Sequence, residues 1–197
     1  MSNALVYDIE IVKGIVGRGE QRLPDIEYCE GWHDHANMGI SVIGAYDYKA
    51  DRYRVFMRDN FPEFIALCGE RAPLVSFNGL SFDDMVIRAS GLAMPDETPR
   101  YDLLVEIWKA SGLGPKFQYP SHAGFGLDAC CEANFGTRKT GNGALAPVLW
   151  QRGEYGQVID YCLNDIKLTK QLFDQVLTKG VIKCPKTGDM LEPTIPA

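Results

Sequence analysis

No apolar run in the chain approaches the roughly 18 residues that cross a bilayer, and the start, Met-Ser-Asn-Ala-Leu-Val-Tyr-Asp, lacks the basic-then-apolar order of an export signal. Both absences predict a cytoplasmic protein with no membrane partner. The six cysteines (Cys29, Cys68, Cys130, Cys131, Cys162 and Cys184) include no Cys-x-x-Cys pair, so reduced thiols acting as small apolar residues are expected rather than disulfides or a zinc site. Histidine is scarce, with three in all. His33 and His35 flank Asp34 without a third ligand in view, and His122 reads as a loop residue. There is no internal repeat and no low-complexity tract. An excess of basic charge is missing too: the formal net charge is −6, which argues against binding by neutralising a polyanion. That argument fails only where acids surround divalent cations, because the local charge is then set by the ions.

What is present suits one domain. At 197 residues and 46% apolar content the chain can bury a sizeable core. Residues 4–12 read as a strand, with two more at Met38–Tyr46 and Tyr53–Met57 joined by a turn at Lys49-Ala50-Asp51. The long, polar stretch 13–37 reads as a surface insertion or lid. Asn60 is the expected cap of a helix over 61–69, with Pro62 in its first turn, and 73–77 is a short apolar strand. A helix over 82–90 should stop at Gly91, and Asp102 should cap another over 103–111. Residues 112–126, rich in glycine, proline and aromatics, read as a loop. Helices are expected at 127–134, 144–151 and 155–178, then a tail over 181–197 with a hairpin turning at Lys186-Thr187-Gly188. This order predicts a mixed α/β sheet with helices packed on it.

Acidic residues stand where apolar ones are expected, and burying an ionised carboxylate costs several kcal/mol unless a partner compensates. Asp8 and Glu10 in Leu-Val-Tyr-Asp-Ile-Glu-Ile-Val share one strand face, as alternation requires, while Tyr7, Ile9 and Ile11 take the other. Taken alone that pair is equally a solvated face. Asp83, in Asn-Gly-Leu-Ser-Phe-Asp, is equally a residue placed at a helix start by the dipole, a task Asp84 could also serve. Tyr161 and Asp165 lie four apart in the last helix, so both leave it on one side. A phenol beside a carboxylate can position a water, and a core Tyr next to a solvated Asp is the alternative.

Together, Asp8-Ile9-Glu10, Asn78-x-x-x-Phe82-Asp83 and Tyr161-x-x-x-Asp165, in that order and in strand, turn-helix and late-helix contexts, resemble the three motifs of the DEDD superfamily of 3′-5′ exonucleases. Tyr four before the last Asp marks the Tyr branch; the His branch has His five before, where this chain has Asp160. The segment Asn78–Asp83 is most similar to proofreading exonuclease domains of family B DNA polymerases. The resemblance spans about residues 4–178 and implies an RNase H-like domain over 1–180 with a five-stranded mixed sheet.

It further implies two divalent cations, Mg²⁺ or Mn²⁺, held by Asp8, Glu10, Asp83 and Asp165, with Tyr161 orienting the attacking water. The implied substrate is nucleic acid with a free 3′ end, single-stranded or frayed DNA foremost and RNA second. A replication or repair protein is the implied macromolecular partner. Ile9, Asn78, Phe82, Phe117 and Tyr119 are the candidate base contacts, and Arg138 and Lys139 the candidate phosphate contacts. Core packing is the competing role for the aromatics, Phe125 above all, and a bare basic loop the competing role for Arg138 and Lys139. A junction-resolving endonuclease and a non-catalytic nucleic-acid-binding or polymerase-accessory module are the rival functions on the same fold.

Overall fold

The computed structural model describes residues 3–17, 19–137 and 143–196. Strand β1 (Leu5–Ile11) is the middle of a five-stranded sheet. On one side it pairs antiparallel with β2 (Ile40–Asp47), which pairs antiparallel with β3 (Arg52–Phe56). On the other it pairs parallel with β4 (Leu74–Ser76), which pairs parallel with β5 (Arg100–Asp102). The order is β3-β2-β1-β4-β5, the RNase H-like mixed sheet expected from the sequence.

Both faces of β1 are covered, which is why its sequence is apolar nearly throughout. Leu5, Tyr7, Ile9 and Ile11 pack with α2 (Phe61–Glu70) and α3 (Asp83–Ala89). Val6 belongs to the opposite core, built from α4 (Leu103–Ala110), α5 (Leu127–Phe135) and the long α7 (Tyr155–Lys179). Each such buried aliphatic side chain contributes about 1.5–3 kcal/mol. Asp8 and Glu10 follow the alternation of Val6 and so face α7. A short α1 (His35–Met38), a 3₁₀ turn (Gly143–Leu145), α6 (Ala146–Gln151) and a hairpin of β6 (Ile182–Lys183) with β7 (Met190–Leu191) complete the described elements.

Several local expectations are corrected. The second strand begins at Ile40, not Met38, because Met38 ends α1 and Gly39 turns the chain at a φ of 65°. Asn60 stands at the N-cap position of α2, but its Oδ1 accepts from the Met57 backbone N–H at 2.7 Å, so it closes the preceding turn. His122 does lie in a loop, as expected, but it is buried there, with Nε2 2.9 Å from the Gly114 carbonyl and Nδ1 3.2 Å from the Gln118 carbonyl. All six cysteines are buried free thiols. Among the described residues no helix is long and apolar enough to cross a membrane.

The 13–37 insertion is tied to the end of α6. Gln151, the last residue of α6, donates to the carbonyls of Val12 (2.8 Å) and Glu27 (3.1 Å) and accepts from the Glu27 N–H (2.7 Å). Arg152 adds an exposed pair to Asp25 at 3.1 Å. The insertion is thereby fixed beside the carboxyl end of β1.

Candidate active site

Directly across the ladder from Asp8 stands Gly44. A Cβ at Gly44 would lie 2.4 Å from Ile166 Cδ1 and 2.9 Å from Cys162 Sγ, so the missing side chain is what lets α7 rest on the sheet under Asp8. Cys162 Sγ then sits 3.7 Å from the Asp8 carbonyl and 3.9 Å from Asp8 Oδ2. The same approach carries Tyr161 and Asp165, one helical turn apart, to the end of β1 that holds Asp8 and Glu10.

Asp83 arrives from the far side of β1. It opens α3, but its carboxylate is aimed away from a simple cap: Oδ1 accepts from the Ile9 N–H at 3.0 Å, locking the second acidic segment to the first. Its neighbour has a different task. Asp84 accepts a short hydrogen bond from the Tyr7 hydroxyl and pairs with Arg100 Nε at 3.1 Å. Burial, and then the Asp84 charge, hold the Tyr7 phenol well above its ordinary pKa. Between β4 and α3 the chain turns at Asn78 with a φ of 70°. Asp102 holds that turn, accepting from the N–H groups of Asn78 (2.9 Å) and Leu80 (3.1 Å), while it caps α4 through Leu104 (3.0 Å) and Val105 (3.4 Å).

The result is one cleft of about 210 Å³ lined by Asp8, Glu10, Asp83, Asp165, Tyr161, Ile9, Asn78 and Phe82. Gly143 closes it on the Tyr161 side, where a Cβ would come 3.0 Å from the phenol oxygen. Of the remaining sequence-derived candidates, Phe117 lines an adjoining groove, and Tyr119 is 82% exposed and is not among the residues lining either cavity. Phe125 is core, 3% exposed. Arg138 and Lys139 lie outside the described residues. Sequence reasoning did not find Trp32, which lines the cleft from the insertion, nor Gly44 and Gly143, whose part is to be small. A tryptophan in a polar stretch was the one available signal for Trp32.

Carboxylate oxygens of Asp8 and Glu10 and Cys162 Sγ all lie within 4.8 Å of one another, an acidic and cysteine cluster able to hold a metal ion. The oxygen donors suit hard divalent cations. Burial, and then the charges of Asp8 and Glu10, raise the Cys162 thiol pKa well above its ordinary value, which keeps it protonated and leaves the carboxylates as donors. Asp83 is pushed up to about 7 by burial and by the charges of Asp84 and Asp102, against the hydrogen bonds from backbone N–H groups that lower it. Burial makes the Asp83 carboxyl hold its proton where an ordinary one would ionise, and a divalent cation beside it would favour the ionised form again, so the residues present fit a divalent cation.

No family model and no curated protein matches the chain. Among solved structures, a family B DNA polymerase from the hyperthermophilic archaeon Pyrobaculum calidifontis matches with a TM-score of 0.60 and 16% sequence identity. The match covers 90% of this chain and 25% of the polymerase, so the chain spans about a quarter of that protein's length and shares its fold over that quarter.

Proposed function

We propose that the chain is a metal-dependent 3′-5′ exonuclease of the Tyr branch, releasing nucleoside monophosphates from single-stranded or frayed DNA ends. The observation that carries this reading is the convergence of four carboxylates and Tyr161, from three separated segments, on one cleft. The fold shared with part of a family B DNA polymerase supports it.

Two divalent cations, Mg²⁺ or Mn²⁺, held by Asp8, Glu10, Asp83 and Asp165, would offset charge on the scissile phosphate and make water acidic enough to attack at neutral pH. The chain's own groups do the positioning. Tyr161 holds the attacking water through its hydroxyl. Phe82 and Asn78 flank the terminal nucleotide, and the Asp102 grip on the Asn78 turn keeps that flank in place. Water oxygen bonds to the terminal phosphorus as the P–O3′ bond breaks. The leaving oxygen takes a proton, so the shortened strand ends in a 3′ hydroxyl and the product carries the phosphate. A replication or repair protein is the expected partner, since a free 3′ end arises in those settings.

The test is 5′-end-labelled single-stranded DNA, and separately RNA, with Mg²⁺ or Mn²⁺, comparing wild type with Asp8→Ala and Tyr161→Phe. Stepwise shortening from the 3′ end with monophosphate release is expected of wild type, and loss of both in Asp8→Ala. Equal cutting by Asp8→Ala overturns the reading, and oligonucleotide binding without any monophosphate makes the chain a non-catalytic binding module.

A further inference from the structure

On the face of β1 opposite Asp8 and Glu10 lies a buried polar group that the proposed chemistry does not use. Three side chains, from β1, α3 and β5, meet there: the Tyr7 hydroxyl donates to Asp84 Oδ1, and Arg100 Nε pairs with Asp84 Oδ2 at 3.1 Å. Tyr7 is 1% and Asp84 5% exposed, and Arg100 is anchored further by Nη2, which donates to the Pro95 carbonyl at 3.2 Å. Both oxygens of Asp84 are thus engaged, each from a different strand of the sheet.

Such a group is a poor source of stability. Taking a guanidinium and a carboxylate out of water costs about what their attraction returns, and packed apolar groups of similar size often replace a buried pair at no loss. What the polar group supplies and an apolar one does not is direction, because a hydrogen bond weakens steeply once its angle falls below about 120°. Here the direction is given to the first turn of α3, whose first two residues are Asp83 and Asp84. The Asp84 N–H donates to the Gly79 carbonyl at 2.9 Å, so the turn before α3 is drawn in as well. A Cβ at Gly79 would stand 3.3 Å from the Tyr7 hydroxyl oxygen, so bare backbone lies over that hydroxyl. The paired residues of β1 and β4 are Leu5 with Leu74 and Val6 with Val75, and past them Asp83 Oδ1 takes the Ile9 N–H at 3.0 Å. The start of α3 is therefore fastened to β1 twice, at Tyr7 through Asp84 and at Ile9 through Asp83.

We infer that Tyr7, Asp84 and Arg100 are positioning residues for Asp83: they fix the rotation of the first turn of α3 against β1, and so where the Asp83 carboxyl stands relative to Asp8. This rests on the exonuclease reading for the identity of the cleft as a metal site. None of the three lines the cleft. Holding both Asp84 oxygens also keeps that carboxylate turned away, so α3 presents a single acid to the cleft, and the Arg100 charge offsets the one beside it. Groups that orient a metal-ligating side chain are worth about 10- to 100-fold in metal affinity or activity, which is the scale expected here.

The test removes the group whole. The triple variant Tyr7→Phe, Asp84→Val, Arg100→Met leaves no unpaired polar atom among the three side chains, so its melting temperature should match or exceed that of wild type. Calorimetry with Mn²⁺ alone, without DNA, should nevertheless show binding about 10- to 100-fold weaker. At saturating Mn²⁺ kcat on single-stranded DNA should fall by a similar factor, while KM for the strand stays within about twofold. Tyr7→Phe by itself loses one oxygen and keeps the ring, so it should fold and should weaken Mn²⁺ binding by less than the triple variant does; it decides alone should the triple variant melt below wild type. A merely structural role predicts that a variant as stable as wild type binds Mn²⁺ as wild type does. That result overturns the proposal, as does the absence of Mn²⁺ binding by wild type. If the functional reading fails instead, wild type releases no monophosphates while Mn²⁺ binding still depends on the three side chains.

Discussion

Asp83→Asn should make the metal-free protein more stable, and increasingly so as pH rises. The carboxyl of Asp83 has an ordinary value of 3.8 and is pushed up to about 7 in the fold, chiefly by burial. The folded chain therefore keeps a proton that the unfolded chain has released across that interval. Its stabilising share is fully present below pH 3.8 and is lost as pH rises to about 7. A difference of about 3 pH units corresponds to about 4 kcal/mol, of which about 3 falls between pH 5 and pH 8. Asn cannot ionise, yet its Oδ1 can still accept from the Ile9 N–H that Asp83 engages at 3.0 Å. For a domain of this size 1 kcal/mol moves the melting temperature by about 2–4 °C, so the gap between variant and wild type should widen by about 6–12 °C from pH 5 to pH 8.

The assay is thermal unfolding followed by circular dichroism in EDTA, wild type and variant in parallel, so that titrating groups remote from Asp83 cancel in the difference. Parallel pH profiles would refute the assignment of the shift to Asp83. Adding Mg²⁺ at pH 8 should then raise the wild-type melting temperature more than the variant's, because the cation stabilises the state that binds it. The variant should lose turnover while gaining stability, the expected trade at a site that concentrates like charge.

Asp84→Ala should do the opposite of its neighbour's change, costing about 3–5 kcal/mol in urea unfolding, since it strands the partly buried Arg100 guanidinium and the buried Tyr7 hydroxyl. Asp102→Ala removes an acceptor shared by four backbone N–H groups and should cost about 2–4 kcal/mol by the same measurement, with Asp102→Asn recovering part of it. Gly44→Ala drives a methyl into Ile166 and Cys162; about 1–3 kcal/mol of destabilisation is expected, with a fall in the rate of the proposed exonuclease reaction larger than that of a comparably destabilised core variant, because α7 carries Tyr161 and Asp165.

Periodic and locally marked features were legible from residues alone. The apolar run of β1, the 3.6-residue spacing of α7 ending at Gly180, and the Asp102 cap each declare themselves within a few neighbours. β5 escaped because Arg-Tyr-Asp is too short to alternate and gains its place only by pairing with β4. Asn60 misled because the side-chain oxygen that could cap α2 instead accepts from the Met57 N–H three residues before it. Within the site, the acids and Tyr161 were each ambiguous alone and stood out only through the resemblance of their three segments, taken in order, to a family's motifs. Gly44 and Trp32 did not, because their roles depend on what faces them: α7 across the sheet for one, Phe82 across the cleft for the other.

The location of the cleft also follows from topology, independently of which residues line it. β1 has an antiparallel neighbour on one side and a parallel one on the other, so the sheet changes sense there. Open α/β sheets leave a crevice outside the carboxyl ends of their parallel strands at such a point. The carboxyl end of β1 supplies Asp8 and Glu10, and the chain leaving the carboxyl end of β4 supplies Asn78, Phe82 and Asp83. Tyr161 and Asp165 are brought from elsewhere, by a helix that can approach because Gly44 has no side chain. Backbone direction thus opens the crevice, one glycine admits the third segment, and burial and the neighbouring acids push the Asp83 carboxyl on its wall up to about 7.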